Sequence, residues 1–354
     1  MRQSKIIGIL ILSIAPLIWF LVNHFEQKEQ EEIYQERLAI IDKLKHLDLA
    51  NIPSEKLEIL NDLDPAILAA GKSEMLRHKI VIVGIARDNI DDLLVTVKTI
   101  KMIGDAFQDY RVIIFENDSK DGTDIALATW QAQDPKVRVI LKNFNNRKRP
   151  SHKFMADVRN NYLNALKDPE YNDFDIVMAI DMDMSYGLDI RGIYDSFAKI
   201  SRWDTICSNG IANAKGQMYD MFAFRNDEFP YSSRQWQEIC LNKDERCEKG
   251  KDYSRGFIHD LIAFRGTWQA NDRLYWLLIA PQGQKVYPVK SDLIPVASCF
   301  GGMAFYKHEF IANCYYDSVD NDCEHVAFHQ CLRDSHQGRM FMNPAQVIRY
   351  SQYK

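Results

Sequence analysis

The 354-residue chain is poor in cysteine: it has seven, none of them before Cys207. So sparse a set excludes a disulfide scaffold, and the odd count leaves at least one thiol free or paired between chains. Cys240 and Cys247 flank a polar segment and form the easiest local pair. No Cys-x-x-Cys or His-Glu-x-x-His spacing occurs, so the group Cys323, His325, His329, Cys331 and His336 lacks a zinc signature. An excess of one charge is also missing. Lys+Arg number 44 against 49 Asp+Glu, a net charge of −5, and no basic face marks a nucleic-acid binder. Internal repeats and low-complexity tracts are absent. With 46% apolar and 26% charged residues, the composition is that of a globular protein and not of a disordered, collagenous or polytopic membrane chain.

One long apolar run is present. Residues 6–22 carry no charge and span roughly 25 Å as a helix, the lower limit for crossing a bilayer. Arg2 and Lys5 precede the run and four glutamates follow it, and no small-residue cleavage site is seen. The pattern predicts an uncleaved signal anchor over 1–25 with its amino terminus in the cytoplasm, hence a single-pass type II membrane protein. Its main domain would lie in the Golgi or ER lumen in a eukaryote, or at the inner membrane in a bacterium. Residues 26–77 show near-helical apolar spacing and predict a solvated helical stem.

From residue 78 onward apolar, β-branched runs alternate with helical segments. Strands are expected at 79–86 (KIVIVGIA), 111–115, 137–141 and 175–180 (DIVMAI), with helices at 91–103, 124–133 and 151–166. This alternation predicts an α/β fold with a mostly parallel sheet flanked by helices. On such sheets, ligands bind beyond the carboxyl ends of the strands. Three strand-end loops are unusually polar: Arg87-Asp88-Asn89, Glu116 to Thr123, and Asp181-Met182-Asp183.

Asp181 and Asp183 follow a fully apolar strand, and residues two apart in an extended segment point the same way. Converging carboxylates repel unless a cation joins them, and Mg²⁺ or Mn²⁺ is the natural guest. The Glu116–Thr123 loop reads as a turn with an N-cap from Thr123 or Asp124, as a nucleotide pocket, or as both. Arg147, Lys148, Arg149, His152, Lys153 and Arg159 form the one dense basic stretch, from which one or two residues could neutralise a diphosphate. Aromatics from Trp203 to Trp276 crowd the middle third, and 226–253 reads as a polar lid or insertion.

The order of strand, acid-rich loop ending Asp-Gly-Thr, Arg-Asn helix, hydrophobic strand and Asp-x-Asp resembles nucleotide-sugar glycosyltransferases of the GT-A fold, chiefly the inverting family 2 type. The wording IFENDSKDGT behind a long stem also resembles fungal capsule-associated mannosyltransferases. The resemblance covers 78–189 and is thinner over 190–354. It implies a nucleotide-binding half followed by an acceptor half. Arg87, Glu116, Asp118, Ser119, Arg159 and Asp181 would face the UDP- or GDP-sugar, and Asp181 and Asp183 the metal. The chain reads Glu-Asn-Asp-Ser where family 2 usually has Asp-Asp-Gly-Ser, so which acid faces the base stays open. Gly301 and Gly302, in SCFGGMAFY, would line the acceptor side. Glu324 would be the catalytic base, with Asp322 in reserve. The implied activity is metal-dependent transfer of a hexose to a glycan, lipid or protein hydroxyl. A sugar-phosphate nucleotidyltransferase is the rival, though it wants a Gly-rich loop after the first strand. A catalytically dead sugar-binding or scaffold protein of the same fold is another.

Overall fold

The computed structural model describes residues 60–145, 151–184, 186, 188–211, 218–232, 235, 285–320 and 322–349, together with 28, 31 and 35. The expected anchor, most of the stem, Arg147 to Arg149, the Cys240–Cys247 pair, Trp236 to Trp276 and most of the 226–253 segment lie outside these. Among the described residues no helix is long and apolar enough to cross a membrane.

The chain runs α1 (Pro65–Met75), β1 (Lys79–Ala86), α2 (Ile90–Gly104), β2 (Asp109–Asn117), α3 (Thr123–Gln133), β3 (Val137–Lys142), α4 (His152–Ala165) and β4 (Ile176–Asp181). It continues with α5 (Arg191–Ala198), β5 (Thr205–Ile211), β6 (Ile294–Pro295), β7 (Met303–Lys307), α6 (His308–Ile311), α7 (Glu324–His336) and β8 (Met340–Arg349). The strands form one eight-stranded sheet in the order β3-β2-β1-β4-β7-β5-β8-β6.

β1 through β4 are parallel to one another, as their apolar runs predict. β7 is antiparallel to both β4 and β5, β8 is parallel to β5, and β6 is antiparallel to β8. The sheet is therefore mixed. A segment such as 303–307 carries no mark of direction, because a run of buried side chains suits either pairing.

β1 has helices over both faces, so alternate side chains enter two cores. Val81 and Val83 pack with Tyr162 and Leu163 of α4. Ile80 and Ile82 pack with Leu93 and Val97 of α2. Each such burial contributes about 1.5–3 kcal/mol, which is why this apolar run could belong only in the centre. Ser151 caps α4 by accepting the N–H of Phe154 at 3.2 Å, and Asp64 caps α1 with Pro65 in its first turn. α1 packs on α5 so closely that a Cβ on Gly71 would lie 1.7 Å from the carbonyl oxygen of Tyr194.

Strand order reverses direction at β1, which has β2 on one side and β4 on the other. A crevice opens beyond the carboxyl ends of strands at such a switch point.

Candidate active site

A cleft of about 330 Å³ occupies that crevice. Its polar lining comes from Arg87, Asp88 and Asn89 after β1, Asn117 at the end of β2, Arg159 on α4, and Asp181 and Asp183 after β4. Phe154, Met155 and Val158 of α4 give it an apolar wall.

The first two loops are laced together. Asp88 accepts the N–H of Lys120 at 2.7 Å and donates its own N–H to Ser119 Oγ at 3.0 Å. Asn89 N–H donates to Thr123 Oγ1 at 3.1 Å, and Ile90 N–H to Asp121 Oδ2 at 2.8 Å. This lacing decides the role of the acid-rich loop. Glu116 accepts the Ser119 N–H at 2.9 Å and is buried. Burial raises its pKa, against the Ser119 hydrogen bonds. Asp118 accepts the N–H groups of Phe144 and Asn145, both at 2.8 Å. Neither acid lines the cleft, nor does Ser119; the loop residue that does is Asn117. The capping expectation also changes: Gly122 in the left-handed region precedes α3, and Asp121 Oδ1 accepts the Thr123 N–H.

Arg159 is the centre of the site. It is 4% exposed. Its Nε donates to Glu324 Oε1 at 3.0 Å, and its Nη2 lies 3.7 Å from Asp181 Oδ1. Phe300 and Tyr316 rings face the guanidinium with centroids at 5.1 and 5.7 Å. Its Nη1 is buried without a hydrogen-bond partner. A guanidinium with one unused buried donor beside a cleft is set to receive an anion. Asn89, 8% exposed, matches it with an unpartnered Oδ1, while its Nδ2 donates to the Met182 carbonyl.

Glu324 opens α7, is buried, and also meets His152 Nδ1 at 3.6 Å. Burial alone would raise its pKa, but His152 and the Arg159 charge outweigh that and hold the carboxyl well below the usual range. In this structure Glu324 is the counter-ion of Arg159; the resemblance implied a catalytic base at this position. Asp322 pairs with buried Arg225 at 2.8 Å. Gly301 and Gly302 form a turn with φ of +62° and +89°. A Cβ on Gly301 would lie 2.2 Å from Ser208 O, and the Gly302 carbonyl accepts the Asp181 N–H at 2.9 Å.

Among the described residues no three His, Cys, Asp or Glu side chains cluster closely enough to hold a metal. Asp181 and Asp183 nevertheless suit Mg²⁺ or Mn²⁺. Such ions are commonly held by one or two carboxylates, with substrate phosphate and water completing the shell. Lys153 pairs with Asp157 and Asp317 at the surface, away from Arg159. Cys331 is bonded to Cys314, and Cys207 to Cys299. Trp203 and Phe224 are core residues.

Sequence reasoning reached Asn89, Asn117 and His152 only as members of polar or basic stretches, without a role of their own, and did not single out Asp220. The first two stand at strand ends and were within its reach. Asp220 sits in an aromatic-rich stretch with no motif, and the function of His152 depends on what α7 places opposite it.

No protein-family model and no curated protein matches the chain. Among solved structures it is similar to the mannosyltransferase PcManGT of Pyrobaculum calidifontis, solved with GDP-Man and Mn²⁺ (12% identity, TM-score 0.42, 92% of this chain and 67% of that one). It is also similar to TarS 1–349 of S. aureus (12% identity, TM-score 0.40, 77% of this chain and 60% of that one). A third is glucosyl-3-phosphoglycerate synthase of Mycobacterium tuberculosis with Mn²⁺, UDP and phosphoglyceric acid (13% identity, TM-score 0.38, 81% of this chain and 75% of that one).

Proposed function

We propose that the chain is a glycosyltransferase that binds a UDP- or GDP-sugar in the cleft and moves its hexose, with inversion, to a hydroxyl of a glycan, lipid or protein. The observation that carries this reading is the charge pattern at the switch point. Asp181 and Asp183 stand beside a buried guanidinium whose Nη1 has no partner. Together they form a set for a cation and a diphosphate in one place. Asp181 and Asp183 would hold Mg²⁺ or Mn²⁺, which when bound would neutralise the departing diphosphate. Arg159 offers Nη1 to a phosphate oxygen, Asn89 Oδ1 accepts a ligand N–H or O–H, and the wall of Phe154, Met155 and Val158 excludes water from one side.

The anchored, type II arrangement belongs to the same proposal, with the domain in the Golgi or ER lumen of a eukaryote. The disulfides Cys207–Cys299 and Cys314–Cys331 support a domain that matures in an oxidising compartment. The test is nucleotide release from a panel of UDP- and GDP-sugars, with and without Mn²⁺. Metal-dependent release from one donor is expected, with a loss of at least about 100-fold in Asp181→Asn/Asp183→Asn. Unchanged turnover in that variant, or none in the wild type, would sink the reading.

A further inference from the structure

Three carboxylates gather around the 298–302 segment, and they differ in their partners. Glu324 is paired with the guanidinium of Arg159 and faces His152. Asp322 is paired with Arg225 at 2.8 Å and accepts the Cys323 N–H at 2.9 Å. Asp220 has no such cation. It is half-buried and accepts two backbone N–H groups, of Gly301 at 3.2 Å and of Ala223 at 3.3 Å. Among the described residues no Lys, Arg or His lies within ion-pairing distance of it.

Asp220 does not itself line the cleft of Asp181 and Arg159; a single turn joins the two. The Gly301–Gly302 turn that donates to Asp220 also receives the N–H of Asp181. The same segment brings Phe222 against His152, with ring centroids 6.5 Å apart.

Resting on the glycosyl-transfer reading above, we infer that Asp220, and not Glu324 or Asp322, is the carboxylate that takes the proton from the attacking hydroxyl. In that step the acceptor O–H bond breaks and its proton goes to Asp220. The oxygen bonds to the anomeric carbon, and the bond from that carbon to the diphosphate oxygen breaks with its electron pair leaving on the diphosphate. Asp220 then releases the proton to solvent. Glu324 is a positioning residue that holds Arg159.

The electrostatics agree with the geometry. The charged groups acting on Asp220 are Glu324 at the start of α7 and Arg159 on α4, with the Cys323 thiol beside them. Burial and the Glu324 charge raise the pKa of Asp220 from its ordinary value, against the two N–H groups and Arg159. Two neighbouring carboxylates with proton affinities driven apart divide into a fixed anion and a proton acceptor.

The experiment uses the full chain in detergent, Mn²⁺, and whichever UDP- or GDP-sugar the wild type hydrolyses, with water as acceptor. Asp220→Asn should lower the rate by about 100-fold or more, leave affinity for the matching nucleoside diphosphate within about twofold, and abolish the acid limb of the rate–pH profile. Asp220→Glu should retain activity with that limb displaced, and it decides the matter if the Asn variant does not fold. Wild-type release with an Asp220→Asn rate within threefold overturns the assignment alone. So does joint loss of turnover and nucleotide affinity, or an unmoved limb in Asp220→Glu. No release by the wild type from any donor overturns the transferase reading itself.

Discussion

His325 lies flat against Phe300, with ring centroids 4.1 Å apart, and edge-on to Tyr316. Neither of its ring nitrogens has a hydrogen-bond partner. Burial, then the Arg159 charge, holds its pKa well below the ordinary value. The imidazole therefore serves here as a neutral aromatic plate. Replacing a buried polar group that makes no hydrogen bond with an apolar one of similar shape is nearly neutral or stabilising. His325→Phe should accordingly fold and melt within a few degrees of wild type at pH 7, as differential scanning calorimetry would show. A collapse in melting temperature would mean that the ring nitrogens have a partner.

At the scale of elements, two disulfides among the described residues join separate parts of the chain. Cys207–Cys299 links β5 to the segment before the glycine turn across 92 residues, and Cys314–Cys331 links α7 to the preceding loop across 17. In the chain-entropy account closing these loops contributes about 4–5 and about 3 kcal/mol respectively. Cys207→Ala/Cys299→Ala should thus lower stability more than Cys314→Ala/Cys331→Ala, a ranking that urea unfolding can read. The loops show how elements are legible while their pairing is not. β1, β2 and β4 were visible because parallel, doubly covered strands demand apolar runs, and the partly exposed edge strand β3 by its β-branched residues. The Glu116 to Ser119 stretch was visible as polar, yet its acids bond within the loops, and only the lacing of Asp88, Ser119 and Lys120 shows this.

For the molecule as a whole, the buried histidines set a response to acid. His329 donates and accepts within a closed site of Ser298 and Tyr306, and burial, with the nearby Arg333 charge, lowers its pKa to about 3. Above pH 6.5 it is neutral in both folded and unfolded chains and gives no slope. As pH falls below 6.5 the unfolded chain takes up a proton that the folded chain refuses until about pH 3, so stability declines across that window. Depressed carboxyls act in the same sense from the ordinary carboxylate range downward. At Asp204, Arg339 and Lys307 outweigh burial, and at Glu324, His152 and Arg159 do so. His78, whose pKa is raised chiefly by its hydrogen bond to Asp175, acts oppositely. A net fall in melting temperature from pH 6.5 to 4.5 is expected, shallower in His329→Gln. An unchanged slope in that variant would remove His329 from the account.

By itself the sequence determined the parallel half of the sheet, the polar strand ends and the Asp181/Asp183 pair. These follow from local rules: apolar periodicity marks buried strands, and two residues on one extended segment share a face. The tertiary structure alone decided which charges meet. Arg159 and Glu324 are 165 residues apart, Asp220 and Gly301 81 apart, and the antiparallel insertion of β7 between β4 and β5 brings the glycine turn to the end of β4. Whether a carboxylate is a fixed anion or a proton acceptor depends on burial and on the charges beside it, and no local pattern of residues records either.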